Sequence, residues 1–442
     1  MKDFASIFDA AGFSLYIVGG AVRDWVLRFP NDDYDFTNDA TPEEVIGLFR
    51  KVIPTGIKHG TVTVLFKNAK YEVTTFRTDG EYHDHRHPEQ VQFVRNLEED
   101  LKRRDFTINA MAANAFTGEI VDQHNGFGDL KKKTIRAIGN PIERFTEDAL
   151  RILRACRFAT KLDFSIEPET HAAMRQLAST LKLVSGERIR DELVKILSSK
   201  TPLTGLKLMQ ESDILAVILP ELVEGQGIEQ RGFHTHDVLT HNLLVCQAAA
   251  DIDAPLAVRI AALLHDIGKP RVRQENGDGI YTFHRHEFES ERLAKRILER
   301  LKFSNDDRDQ VLNLIRNHMF HYTPDWSDGA VRRFIARVGA DSIENLFLLR
   351  LADQKAIAGA CDYETLRELD ERIEKIRRDG DALSVKDLAV NGKELMAAGI
   401  PAGPTMGTIL NQLLETVMDD PKQNERERLE LIALNLYKNI RQ

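Results

Sequence analysis

The spacing of apolar and polar positions changes period once along the chain. Over residues 1–140, short β-branched runs alternate with amphipathic stretches. Ser14–Val18 (SLYIV) reads as a buried strand ending at Gly19-Gly20, and Ala21–Arg28 reads as the helix that follows. Thr61–Phe66 (TVTVLF) and Tyr71–Phe76 (YEVTTF) alternate residue by residue, which predicts paired strands joined by a loop of Lys67-Asn68-Ala69-Lys70. Thr41–Val52 reads as a capped helix with Glu43-Glu44 in its first turn. The polar stretch 78–93, with Gly80, Pro88 and three histidines, predicts a mobile loop. From Glu147 onward apolar residues recur three and four apart, as in Leu150–Phe158, Ile189–Leu197, Val238–Ala249, Val258–His265 and Ser290–Leu301. The fold class is therefore α+β: a mixed sheet with flanking helices, then an all-helical remainder. Seams near Gly139-Asn140-Pro141, Lys200-Thr201-Pro202 and Gly359–Tyr363 divide it into 1–140, 141–200, 201–360 and 361–442.

Composition narrows the class. A chain of 442 residues is too long for one core. No run approaches the roughly 18 consecutive apolar residues of a membrane span, and Met1-Lys2-Asp3-Phe4 opens no secretory signal segment. Cys156, Cys246 and Cys361 are odd in number and widely spaced, which argues against a disulfide framework and for a cytoplasmic protein. The net charge of −9 is unevenly placed. Lys131–Lys200 holds 15 Lys and Arg against 9 Asp and Glu, so the remainder carries −15. Such a stretch fits either a phosphate-backbone surface or a solvated helical face.

Two clusters carry candidate chemistry. Asp33 and Asp35 are two apart and would share one side of an extended segment, where a divalent cation relieves their repulsion. Mg²⁺ suits hard oxygens and leaves positions open for phosphate. Ten residues upstream, Gly20 and Arg23 stand at a strand-to-helix turn of the kind that receives phosphate. Glu72, on the second hairpin strand, is either a third metal-facing carboxylate or a solvent-facing strand residue. Asp148 and Arg151 fall three apart in a segment, Glu147–Arg151, that reads as the opening of a helix. They make either an intrahelical ion pair or a paired acceptor and donor for a base edge. Cytosine and adenine both set an amino donor beside a ring-nitrogen acceptor, whereas uracil and guanine reverse the order. The second cluster is histidine-rich: His241, then His265-Asp266 at the end of an apolar helix, then His286, His318 and Asp353, a set able to enclose a divalent cation.

The segments VGGAVRDWVL (18–27), DDYDF (32–36), KHGTV (58–62), TFRTDGEY (75–82), EEDLKRRDFTINAMA (98–112), NPIERFTEDALRILRACRFA (140–159) and GERIRDELVKIL (186–197) resemble, in order, the class II CCA-adding enzymes and bacterial poly(A) polymerases. These belong to the polymerase-beta nucleotidyltransferase superfamily. The resemblance implies a head at 1–140, a nucleotide-selecting neck at 141–200, a helical body at 201–360 and a helical tail at 361–442. It implies Mg²⁺ at Asp33 and Asp35, with the triphosphate at Gly20 and Arg23 and the nucleotide at Arg104. Asp105 and Asn109 would shape the sugar pocket, Asp148 and Arg151 would read the base, and Arg154 and Arg157 would add contacts. The partners implied are tRNA, CTP and ATP, with no membrane, as a monomer or a homodimer. The order His241…His265-Asp266…Asp353 resembles the HD phosphohydrolases, with His286 and His318 at the second-metal positions of some members. That implies a second divalent metal and hydrolysis of phosphomonoester or cyclic phosphodiester bonds. The rivals are an enzyme adding only A or poly(A), an HD phosphohydrolase with a vestigial head, and a non-catalytic RNA-binding scaffold. The segment 78–93 has the length of the family's flexible loop, which favours addition of all three nucleotides.

Overall fold

A computed structural model describes residues 1–31, 34–79, 91–230, 236–276, 280–358 and 362–441. It divides into two compact units, Met1–Val223 with Arg300–Phe303, and Glu224–Glu299 with Ser304–Gln442. Among the described residues no helix is long and apolar enough to cross a membrane.

The first unit opens with α1 (Lys2–Ala10), β1 (Leu15–Val18), α2 (Gly20–Val26), β2 (Asp35–Asn38), α3 (Pro42–Leu48), β3 (Val52–Gly56), β4 (Thr61–Phe66), β5 (Ala69–Thr75), β6 (Arg77–Asp79), β7 (Val91–Phe93), α4 (Leu97–Lys102), β8 (Ala112–Asn114), β9 (Ile120–Val121) and α5 (Gly126–Lys131). Seven of these strands form one sheet in the order β3-β4-β5-β2-β1-β8-β9. β2 and β5 run parallel and the other neighbours antiparallel, so the sheet is mixed. Alternation sets its faces: Val62, Val64 and Val73 are buried and pack with Phe4, Phe8, Phe36 and Val45 from α1, β2 and α3. Phe4 stacks on Tyr71 at 4.3 Å between ring centroids and meets Phe36 edge-on at 5.5 Å.

Two expected boundaries move. The loop between β4 and β5 is only Lys67-Asn68, because both residues adopt left-handed backbone (φ 47° and 65°) and close a two-residue turn that pairs Phe66 with Ala69. The helix expected over 41–52 stops at Leu48. Thr41 caps it in a reciprocal capping box with Glu44, but Phe49 turns extended to reach Phe4, and Val52–Gly56 joins the sheet beside β4. Cross-strand pairing overrides the local helical pattern there. In the segment 78–93, β6 and β7 pair antiparallel, and residues 80–90 lie outside the described set.

The first unit continues through β10 (Thr134–Ile135), α6 (Pro141–Glu147), α7 (Leu150–Leu162), β11 (Ser165–Ile166), α8 (Pro168–Leu177), α9 (Gly186–Leu197), α10 (Pro202–Glu211), α11 (Ile214–Ile218) and α12 (Pro220–Val223). The second unit contains α13 (Val238–Asp251), α14 (Leu256–Leu264), α15 (Lys269–Val272), β12 (Gln274–Asn276), β13 (Ile280–Thr282), α16 (His286–Arg300), α17 (Asn305–Asn317), α18 (Asp328–Val338) and α19 (Ile343–Ala358), then further helices to Arg441. α13 and α14 are rich in buried Ala, Leu and Val, which lets helices pack closely around the histidine-bearing ends.

Candidate functional sites

The acidic edge is built by strand register. β2 lies between β1 and β5, with Asp35 opposite Val18 on one side and Glu72 on the other. Asp35 and Glu72 are both exposed, while their chain neighbours Phe36 and Val73 are buried. Residues in register on adjacent strands point the same way, so the two carboxylates share the open face, about 5 Å apart between strands. This answers the ambiguity at Glu72 geometrically: it faces solvent and it stands beside Asp35. Asp33 lies outside the described residues.

Beside this edge is a cavity of about 460 Å³, lined among others by Gly19, Gly20, Arg23, Asp35, Arg104, Asp105, Asn109, Asp148, Arg151, Arg154 and Arg157. One wall begins at Gly19, whose φ of +69° suits glycine; a Cβ there would sit 3.2 Å from Arg104 Nη1. Arg23, in the middle of α2, is almost fully buried. Its Nε donates to Asp24 Oδ1 at 2.8 Å and its Nη1 to Asn109 Oδ1 at 2.7 Å. Asn109 Nδ2 donates to Asp105 Oδ1 at 3.0 Å, and Arg154 donates to Asp105 Oδ2 at 2.8 and 2.6 Å. This chain ties the glycine turn to α7. Burial works against ionisation of Asp105, but Arg154 and the hydrogen bonds from Asn109 and Phe106 outweigh it and hold the carboxyl down to about 2.

The segment expected to read the base differs from expectation. Residues 147–151 do not open one helix. α6 ends at Glu147, Asp148 is extended (φ −143°, ψ 103°), and α7 starts at Leu150. Asp148 and Arg151 therefore make no intrahelical ion pair. Asp148 Oδ2 accepts from Arg188 Nη2 of α9 at 2.8 Å, and Oδ1 from Leu150 N at 3.1 Å. Arg151 donates to Glu147 Oε2 at 2.5 Å and to the carbonyls of Arg144 and Arg103. Both side chains still line the cavity, as an acceptor and a donor with separate anchors. At the break Asp148 is extended, its carboxylate accepting from the Leu150 N–H on one side and from Arg188 on the other.

Several residues that complete the cavity escape a reading of motifs alone. Asp100 is fully buried and holds Arg103 at 2.9 Å and Arg104 at 3.2 Å; burial opposes its ionisation and the two guanidiniums outweigh it, so its pKa is lowered. Its spacing of three and four from those arginines was a usable signal. Glu192 of α9 pairs with Arg157 at 2.8 Å, and Arg188 holds Asp148; both come from 35–40 residues away and leave no local trace.

The histidine cluster in the second unit is geometrically different. His265 caps α14, His286 opens α16, His318 caps α17, His241 lies on α13 and Asp353 on α19. Nδ1 of His265, His286 and His318 stands 2.8, 2.9 and 2.7 Å from the carbonyls of Ala262, Phe283 and Ile315. A carbonyl only accepts, so each Nδ1 carries the proton and a neutral ring turns its Nε2 lone pair inward. Those inward nitrogens face one another: His241 to His265 at 3.3 Å and His286 to His318 at 3.2 Å. Asp266 stands between the two pairs. Its Oδ2 is 3.3 Å from His265 and 3.5 Å from His241, and its Oδ1 is 3.0 Å from His286 and 3.7 Å from His318. Asp353 Oδ1 is 3.2 Å from His241. Acceptors gathered on acceptors in a buried place are repulsive without a positive charge between them. His241, His265 and Asp353 form one group whose ligand atoms lie close enough to hold an ion, and His265, Asp266 and His318 form another. Burial disfavours charge on His265, but the facing Asp266 and Asp353 carboxylates win and raise its pKa; for His318 burial wins and lowers it.

Residues 15–136 match the family described as Poly A polymerase head domain, 163–225 match the probable RNA and SrmB-binding site of polymerase A, and 238–357 match the HD domain. The CCA-adding enzyme of Limosilactobacillus fermentum is 35% identical over 442 residues, covering 99% of this chain and 96% of that protein. That of Levilactobacillus brevis is 34% identical, covering 95% and 94%. Among solved structures, the Bacillus stearothermophilus CCA-adding enzyme in complex with CTP superposes with a TM-score of 0.71 at 29% identity, covering 99% of this chain and 97% of that one. Near full-length similarity at this identity, on a head whose acidic edge opens beside an arginine-lined cavity, places the chain among the CCA-adding enzymes, a family of nucleotidyltransferases.

Proposed function

We propose that this protein adds C, C and A to tRNA 3′ ends from CTP and ATP, with the first-unit cavity as its nucleotide pocket. The observation that carries this reading is the register of Asp35 with Glu72 at the mouth of a cavity that also presents Asp148 and Arg151. Asp33, Asp35 and Glu72 would hold Mg²⁺; oxygen donors on one open face suit that ion, which supplies charge neutralisation at the reacting phosphate. The 3′-hydroxyl oxygen bonds to the α-phosphorus, the bond from that phosphorus to the β-phosphate oxygen breaks, and pyrophosphate leaves. The hydroxyl proton passes to an edge carboxylate and on to water. The backbone at Gly19 and Gly20, with Arg104 and Arg23, lies against the triphosphate, and Asp105 and Asn109 lie against the sugar. Asp148 accepts from the base amino group and Arg151 donates to the adjacent ring nitrogen, an order that C and A share and that U and G reverse. Arg154 and Arg157 add charge behind the nucleotide.

The domain plan follows from these roles: head 1–140, neck 141–200, body 201–360 and tail 361–442. The basic stretch 131–200 would bind the tRNA through phosphates and A-form shape, with affinity falling as salt rises. The test uses three tRNAs, ending before CCA, after C and after CC, each with single NTPs and with CTP plus ATP. Stepwise completion of all three is expected. Extension of the CC-ended tRNA alone would overturn CCA addition in favour of A addition.

A second reading concerns the histidine cluster. The inward Nε2 atoms and the two faces of Asp266 support a centre for divalent metal, with His241, His265, Asp266 and Asp353 as its main ligands and His286 and His318 completing a second position. Bound metal there would supply an activated water for phosphoester hydrolysis. Elemental analysis of protein purified without chelator tests it; a content below one divalent ion per chain after equilibration with Mn²⁺, Ni²⁺ or Mg²⁺ would refute it.

A further inference from the structure

Phe158 lines the same cavity as Arg23, Arg154 and Arg157. It is only 5% exposed, so little of its ring is open to a base. Three guanidiniums contact that ring instead. Arg157 lies 4.2 Å from its centroid, Arg23 5.3 Å and Arg154 5.4 Å. These arginines come from two elements, α2 and α7. Each is ion-paired with a carboxylate: Asp24 for Arg23, Asp105 for Arg154 and Glu192 for Arg157. The ring fills the space where the three cations would otherwise face one another. A π face attracts cations, and the effect grows when they are desolvated. Phe106 meets Phe158 edge-on at 5.8 Å with an interplanar angle of 80°, and fixes the ring in turn.

The geometry points to Phe158 as a positioning residue for nucleotide binding: its ring holds Arg23, Arg154 and Arg157 at the spacing that the triphosphate and sugar require. This rests on the reading of the cavity as the nucleotide pocket. The other role open to a buried phenylalanine is simple filling of the core against Phe106. The two differ in what they ask of the ring. Filling depends on volume, whereas holding cations depends on electron density over the face.

Site-specific incorporation of fluorinated phenylalanines at position 158 separates them, since fluorine withdraws density with little change of volume. With full-length protein and a tRNA lacking CCA, KM for CTP and KM for ATP are expected to rise together along the mono-, tri- and pentafluoro series. The rise should reach about fivefold at the last member, with kcat changed less and the melting temperature held. Phe158→Leu should show the same rise in KM. A KM flat across the series overturns the inference, as does a KM that only tracks a falling melting temperature. Failure of the chain with natural Phe158 to bind CTP would instead overturn the pocket reading itself.

Discussion

The arginine-lined cavity and the histidine cluster are both crowded with ionisable groups, yet they balance charge in opposite ways. In the cavity each arginine already has a carboxylate: Arg23 has Asp24, Arg103 and Arg104 share Asp100, Arg151 has Glu147, Arg154 has Asp105, Arg157 has Glu192 and Arg188 has Asp148. Its donors are held in place by partners behind them. In the cluster the inward atoms are lone pairs and carboxylate oxygens; Lys269 lies 2.5 Å from Asp266 Oδ2 and Arg350 3.7 Å from Asp353 Oδ2. On the proposed reading, a divalent ion would complete that arrangement. A preorganised site gives catalysis through fixed dipoles, whereas an acceptor cage couples its own folding to the metal.

The largest effect expected from this contrast is at the acidic edge. Asp35→Ala should lower nucleotide incorporation by about a thousandfold or more, because Asp35 is the exposed carboxylate that β2 sets in register with Glu72 among the described residues. The same variant should keep the metal content of the histidine cluster, measured on the same preparation. Loss of both would break the separation of the two sites. A smaller but more specific effect belongs to the base reader. Asp148→Ala should reduce the preference for CTP and ATP over UTP by about a hundredfold in kcat/KM. Arg188→Ala leaves the Asp148 carboxylate chemically intact and still bonded to Leu150 N but without its Arg188 partner, so it should reduce that preference by about tenfold. Equal effects of the two would mean that Arg188 itself touches the nucleotide.

The cluster should respond in stability rather than in nucleotide addition. Stripping divalent metal with a chelator should lower the melting temperature of the second unit by on the order of 5–10 °C, and adding metal back should restore it. Asp353→Ala should remove the response, since Asp353 Oδ1 closes the group with His241 and His265. A melting temperature indifferent to chelation would show that protons alone satisfy the cluster.

How legible these sites were depends on the range of the interactions that make them. The α7 arginines follow helical spacing, so Arg151, Arg154 and Arg157 announce a common face. Asp35 and the glycine turn are legible from alternation and motif order. The helix break at Asp148 was not, because a three-residue spacing looks the same whether or not the helix has begun. What decides it is a capping bond to Leu150 and an ion pair with Arg188, forty residues on in the chain. The pairing of Glu72 with Asp35 was open for the same reason: register between β2 and β5 is set by the sheet, with its one parallel pair. In the cluster, the ligand types were visible in sequence. The inward turn of each Nε2, fixed by a carbonyl three residues back, belongs to the helix ends. Sequence names the groups that do chemistry; their counter-charges come from elsewhere in the fold.

The smallest effect sharpens the claim that the cavity is self-neutralised. Asp105 is buried and its pKa falls from 3.8 to about 2 in the folded protein. A depressed carboxyl stabilises the fold above its unfolded pKa and loses that contribution as pH falls through the folded one. The window therefore lies between about pH 4 and pH 2. A shift of this size corresponds to about 2 kcal/mol at pH 7, nearly intact at pH 4 and about half lost by pH 3. Chemical denaturation of wild type and Asp105→Asn should show a gap of that order at neutral pH that narrows only below about pH 4. A gap that is constant down to pH 3 would mean that the Asp105–Arg154 pair is held by packing and not by charge. In that case the link from the glycine turn through Asn109 to α7 would owe nothing to ionisation.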